Sequence, residues 1–174
     1  MALLKIRLLP DSVLREKSVP VTEFTPAVKN LLDDMLDTMY HAVGVGLAAP
    51  QIGILQRVIV MDVSPRESLS RQPIRMINPE IIAASAELSP YEEGCLSIPE
   101  MVGDVVRPAE VTVRYHDVEG KTHQLNAHGL LATCVQHEID HLDGKLFIDY
   151  LSPLKRNLLL RRYNKARAAA LKDS

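Results

Sequence analysis

The sequence predicts an α+β protein. Three observations point there. Strand-like runs follow one another before the helices resume, instead of alternating with them. Val111-Thr112-Val113-Arg114-Tyr115 alternates, and Asp117-Val118-Glu119-Gly120-Lys121 then forms a turn signal, which reads as an antiparallel hairpin with His123 and Leu125 on the returning strand. Long helical periodicity is confined to three stretches, near 26–41, 127–142 and from 153 onward.

Taken in order, residues 1–24 supply only short elements, punctuated by Pro10-Asp11 and Pro20. Thr25-Pro26 starts a helix over 26–41, with a hydroxyl at the N-cap and proline at the first helical position. Val28, Leu31, Leu32, Met35, Leu36, Met39 and Tyr40 form its core stripe, opposite Asp33, Asp34 and Asp37. Gly44 to Gly53 holds three glycines and a proline in ten residues, so its backbone is irregular. It lacks the Lys-Ser/Thr of a phosphate loop. It reads either as a tight turn with a small-residue packing surface or as a close backbone approach to a ligand, with the Gln51 amide as donor. Val58 to Val63 reads as a buried strand, 64–72 as a polar loop, and Met76-Ile77-Asn78-Pro79 with Glu80-Ile81-Ile82 as strand, turn, strand. Residues 127–142 form the second helix, stopped by Gly144. Ser152-Pro153 opens the last, with an apolar stripe of Leu159, Tyr163, Ala166 and Ala170.

At 174 residues the chain is expected to be one domain, 1–174, large enough for a real core. No apolar run is long enough to span a membrane, and the N-terminus does not read as a signal peptide. Two cysteines give no disulfide framework, which suits a reducing cytoplasm. The net charge of −2 hides an asymmetry: residues 153–174 carry seven basic residues and one acid, while the rest carries thirteen basic and twenty-one acidic. A basic tail on an acidic body is either a solvated helix face or a contact to a polyanion.

The second helix carries Gln136-His137-Glu138-Ile139-Asp140-His141, a His-Glu-x-x-His pattern. Residues four apart share a helix face, so His137 and His141 can address one metal ion, and Glu138 stands beside it as a carboxylate base for a water the metal activates. Leu130 and Cys134 lie on the same stripe. A catalytic site of this kind wants a third protein ligand. The zinc-protease extension His-x-x-Gly-x-x-His fails, because its last position is Phe147, and no Glu follows Glu138. Cys134 and His141 are about 10 Å apart along the helix, too far for one ion, so Cys134 lines the pocket. Cys95, in a Gly-marked loop or bulge between strands, is either the third ligand or a small buried hydrophobe.

Gly44-Val45-Gly46-Leu47-Ala48-Ala49-Pro50-Gln51, Glu93-Gly94-Cys95-Leu96-Ser97 and Gln136 to His141, in this order and spacing, resemble the three motifs of the peptide deformylases. The resemblance covers essentially the whole chain. It implies antiparallel sheets around the helix that carries the two histidines. It also implies a metal-dependent hydrolase of protein biosynthesis that removes the formyl group from N-terminal formyl-methionine of new polypeptides and releases formate. Cys95, His137 and His141 would hold one divalent metal, Fe(II) as the usual ion with Zn, Ni or Co also found. A water on the metal would be the nucleophile and Glu138 the general base. The Gln51 amide and the Leu96 backbone N–H would stabilise the oxyanion.

Substrate would lie along the Val45-Gly46 backbone as an added strand, its methionine side chain against Leu130 and Cys134. Glu93 is expected to pair with Arg107 behind the metal loop. Some members carry a substrate-contacting Arg where this chain has Val102, which alters the pocket rim. N-formylmethionyl nascent peptides are the expected partners, with the ribosome a further one through the basic face of Arg161, Arg162 and Lys165; neither DNA nor a membrane is expected. Two other readings compete: a peptide-bond metallopeptidase, against which a Cys ligand argues, and a ribosome-associated protein with a structural metal, in which Glu138 would have no role.

Overall fold

Residues 2–67 and 69–173 are described by a computed structural model of the chain. Helix α1 spans Pro26–His41 with Pro26 at its first turn, as the sequence predicts. Thr25 occupies the N-cap position, but its side chain makes no capping hydrogen bond. Val28, Leu32, Met35, Leu36 and Met39 are buried against strands β1 (Gly46–Ala48) and β2 (Val58–Met61). Between these strands the chain makes a 3₁₀ turn, Ala49–Ile52.

Strands β3 (Ile74–Ala84), β6 (Glu110–His116) and β7 (Thr122–His128) complete a five-stranded antiparallel sheet, ordered β1-β2-β3-β6-β7. The predicted strand-turn-strand at 76–82 is one strand with a bulge. Asn78 has φ +52°, and the pairing with β6 shifts register between Ile77 and Glu80. Asn78 uses its side chain as a substitute ladder, accepting from Val21 N at 2.8 Å and donating to Val21 O at 2.8 Å. The predicted hairpin at 111–125 forms: the Asp117 carboxylate accepts from the N–H groups of Glu119 (2.8 Å) and Lys121 (3.0 Å).

A separate two-stranded antiparallel sheet consists of β4 (Leu88–Cys95) and β5 (Ile98–Pro108). For this hairpin the sequence reading places a loop or bulge between strands at Cys95 and gives those strands no bounds. Its inner face is built from residues that signal a strand poorly, because Glu93 and Arg107 are buried there beside Val105.

Helix α2 (Gly129–Leu142) packs on the sheet and meets the hairpin through His137 to Glu93, Asp140 to Arg107 and Gln136 to Pro108 O. It begins two residues later than expected, because Ala127 and His128 still pair with β6. Nine of its fourteen residues are buried, on all sides. A helix enclosed this way must satisfy its polar groups internally; Gln136 does so by donating to Pro108 O and Ala132 O, both at 3.0 Å. Gly144 ends the turn at φ +74°, and a Cβ there would meet Arg15 O at 2.5 Å, so glycine is required on both counts.

Helix α3 (Pro153–Lys172) is capped by the Ser152 hydroxyl, which accepts from Lys155 N at 3.3 Å. Of its predicted stripe only Leu159 and Tyr163 are buried; Ala166 is half-buried and Ala170 exposed. Tyr163 anchors the helix by donating to Leu9 O at 2.6 Å. No helix among the described residues is long and apolar enough to cross a membrane.

Candidate metal centre

Strand β4 ends at Cys95, where its register with β5 breaks, and the thiol reaches the histidine face of α2. Cys95 Sγ, His137 and His141 offer ligand atoms within 4.8 Å of one another. Cys95 Sγ is 3.5 Å from His141 Nε2, which is 3.2 Å from His137 Nε2. Ligands on a tetrahedral metal at ordinary bond lengths stand about 3.3 Å apart for two nitrogens and about 3.6 Å for nitrogen and sulfur. The observed edges match. Two buried polar atoms, His141 Nδ1 and Glu138 Oε1, have no partner among the described residues. The ligand spacing, with His141 Nε2 on the shared side, fits a metal ion, and two nitrogens with one thiolate suit Zn or Fe(II) by softness.

Behind the ligands lies a charged network. The Glu93 carboxylate accepts from His137 Nδ1 at 2.9 Å, which leaves Nε2 free for a metal. Arg107 forks onto Glu93 at 2.7 and 3.0 Å, as the sequence reading expects, and also donates to Asp140 at 2.8 Å. Tyr150 donates to the same Asp140 oxygen at 2.7 Å. Burial works against the Glu93 charge, yet His137 and Arg107 outweigh it and hold the carboxyl below its usual range. Asp140 and Tyr150 received no role from sequence; the spacing of Asp140, three residues after His137, was the only available signal.

Glu138 is 4% exposed and faces the cavity. Burial pushes its carboxyl up to about 7 against the opposing pull of His137. A cation held alongside would draw it back down. Gly46 makes this approach possible, since a Cβ there would press on the Glu138 carboxylate and on Cys134 Sγ. Burial opposes charge on His137 too, but Cys95, Glu138 and Glu93 together raise it well above the ordinary histidine value. His141 is lowered, by burial first and then by His137.

Gln51 is 1% exposed. Its Oε1 accepts from Ala48 N at 2.9 Å, and its Nε2 donates to Ser97 Oγ at 3.1 Å and toward Cys95 Sγ at 3.5 Å. Ser97, fully buried, was missed by sequence reasoning; its N–H also points at Cys95 Sγ, at 3.4 Å. Leu96 sits in the turn of the bulge, its side chain against Gly44.

The cleft in front of these groups measures about 540 Å³ and is lined by Val45, Gly46, Leu130 and Cys134, among others. Burial, and then Glu138 and Glu93, raise the Cys134 thiol well above its usual value, and its Sγ is 3.7 Å from Val45 O. It is a neutral wall residue, outside the Cys95–His137–His141 set.

The sequence model of the polypeptide deformylase family matches residues 3–157. The chain belongs to this family. A peptide deformylase of Rhizobium meliloti is 55% identical over 159 residues, 91% of each chain. Among deformylases of known structure, one from Legionella pneumophila superposes with a TM-score of 0.91 at 45% identity, covering 98% of both chains. Another, from Ehrlichia chaffeensis in complex with actinonin, gives 0.89 at 40% identity over 95% of this chain and 98% of that one. The α+β fold of antiparallel sheets and three helices is thus the deformylase fold.

Proposed function

We propose that the cleft hydrolyses the formamide of N-formylmethionyl nascent peptides, with Cys95, His137 and His141 as metal ligands. The observation that carries this reading is the convergence of these three donors beside Glu138, whose buried Oε1 has no partner among the described residues, at a cleft lined by Cys95, His137 and Glu138. When bound, a divalent cation there activates water and polarises the formyl carbonyl.

The remaining work falls to the chain's own groups. Glu138 takes a proton from the attacking water and delivers it to the departing amine nitrogen. The Gln51 amide and the Leu96 N–H donate to the oxygen on which negative charge develops. The peptide lies along the Val45–Gly46 edge of β1, whose other edge is already paired to β2. Leu130 and Cys134 receive the methionine side chain. Fe(II) is the metal that family resemblance favours, and Zn, Ni or Co satisfy the same donors. Free thiols at Cys95 and Cys134 suit a cytoplasmic setting, and the basic residues of α3 suit a ribosomal contact.

The test is formate release from formyl-Met-Ala-Ser beside cleavage of an unformylated peptide of the same sequence. The account expects formate and intact peptide bonds. Cleavage of peptide bonds without formate would overturn it in favour of a peptidase.

A further inference from the structure

A second groove, of about 630 Å³, runs between the β4–β5 hairpin and α3. Leu151, Leu158 and Leu159 give it an apolar base. Its hairpin wall carries Glu92 and Asp104, which are opposite each other in register. Its α3 wall carries Lys155, Arg161 and Arg162. None of these five charges forms an ion pair among the described residues. The two walls therefore face each other with opposite sign and do not close. At one end the groove meets the cleft, since Glu92 and Val102 line both. Val102 and Leu158 are 48% and 49% exposed, so apolar surface along this path stands in water.

We propose that this groove is a second subsite for the substrate peptide, holding, in extended form, the residues beyond those in the cleft. The inference rests on the deformylase reading of the cleft. An extended chain turns successive side chains to opposite sides. Acidic residues then face Lys155, Arg161 and Arg162, while the basic residues between them face Glu92 and Asp104. A nucleic-acid strand fits poorly, because the two carboxylates repel phosphates and the base is apolar. Lys165 and Lys172, further along α3, lie outside the groove and stay available to a polyanion.

The experiment compares kcat/KM for formyl-Met-Ala-Ser with its extensions by Asp-Lys-Asp-Lys and by Lys-Asp-Lys-Asp. The two extensions share composition and differ only in which charge meets which wall. One register should exceed the other by about five- to tenfold, as two solvent-accessible ion pairs allow. The double variant Lys155→Glu/Arg162→Glu should erase this preference and leave turnover of the tripeptide unchanged. Equal turnover of both extensions overturns the subsite, as does a preference that survives in the variant. A surviving preference together with lost ribosome binding would assign the α3 wall to RNA instead. No turnover of any of the three peptides would overturn the cleft reading, and this one with it, whereas turnover without register preference overturns only this one.

Discussion

Helices α2 and α3 hold their polar residues in opposite circumstances. In α2, which packs on the sheet and meets the hairpin, Gln136, His137, Glu138 and His141 are all under a tenth exposed. In α3 only Leu159 and Tyr163 are buried, and the charges stand in solvent. Buried charge is tolerated only where partners compensate its desolvation; Gln136 and His137 have partners, whereas Glu138 Oε1 and His141 Nδ1 have none among the described residues. The chain is brittle where its polar groups are buried: changes in α2 or its network should be costly, and changes on α3 nearly silent.

The largest effect is expected at Arg107. Replacing it by Met strips Glu93, which is 3% exposed, of its compensating charge. Breaking a buried pair from one side costs about 3–5 kcal/mol, which urea denaturation would read. The same variant should lose metal to a chelator faster, because Glu93 orients His137. Unchanged stability and metal retention would remove the network from the account.

Next comes Glu138→Gln, measured in metal-free protein. The folded carboxyl titrates near 7, above its unfolded value of 4.5, with burial the largest cause. The folded state therefore binds the proton more tightly, and its advantage is full below pH 4.5 and lost as pH rises through 7. At pH 8 the variant should be more stable than wild type by about 3 kcal/mol, and near pH 4 the two should differ little. Parallel stability-versus-pH curves would contradict the buried placement of this carboxyl.

A smaller loss is expected from Gly46→Ala, whose methyl presses on Glu138 and Cys134. Overpacking of this kind costs about 1–3 kcal/mol, and turnover should fall more than thermal stability does. On α3, Ala170→Lys is exposed and touches no core, so it should shift stability by less than about 0.5 kcal/mol. A large effect there would mean that α3 packs more of its length than Leu159 and Tyr163.

The same contrast explains what was legible in the sequence. Helix α1 and the β6–β7 hairpin show ordinary periodicity, and turn chemistry places them closely. His137, Glu138 and His141 were readable because a helix fixes their spacing. The β4–β5 hairpin was not, because Glu93 and Arg107 occupy its inner face and invert the apolar pattern. The kink at Asn78 reads as a turn in the sequence, since an Asn-Pro pair marks turns and Pro also occurs at bulges. Ser97, Asp140 and Tyr150 act through hydrogen bonds across long sequence separations or between unlike elements, which no local pattern reports.

In the proposed mechanism Cys95, His137 and His141 hold one metal while Glu138 moves the proton. Wild type and Glu138→Ala, purified anaerobically, would be assayed for metal content and for formyl-Met-Ala-Ser turnover on the same samples. The account predicts about one metal per chain in both, with turnover lower in the variant by about 10²–10⁴-fold, the usual contribution of a general base. Full turnover by the metal-loaded variant, or none by metal-loaded wild type, would contradict it.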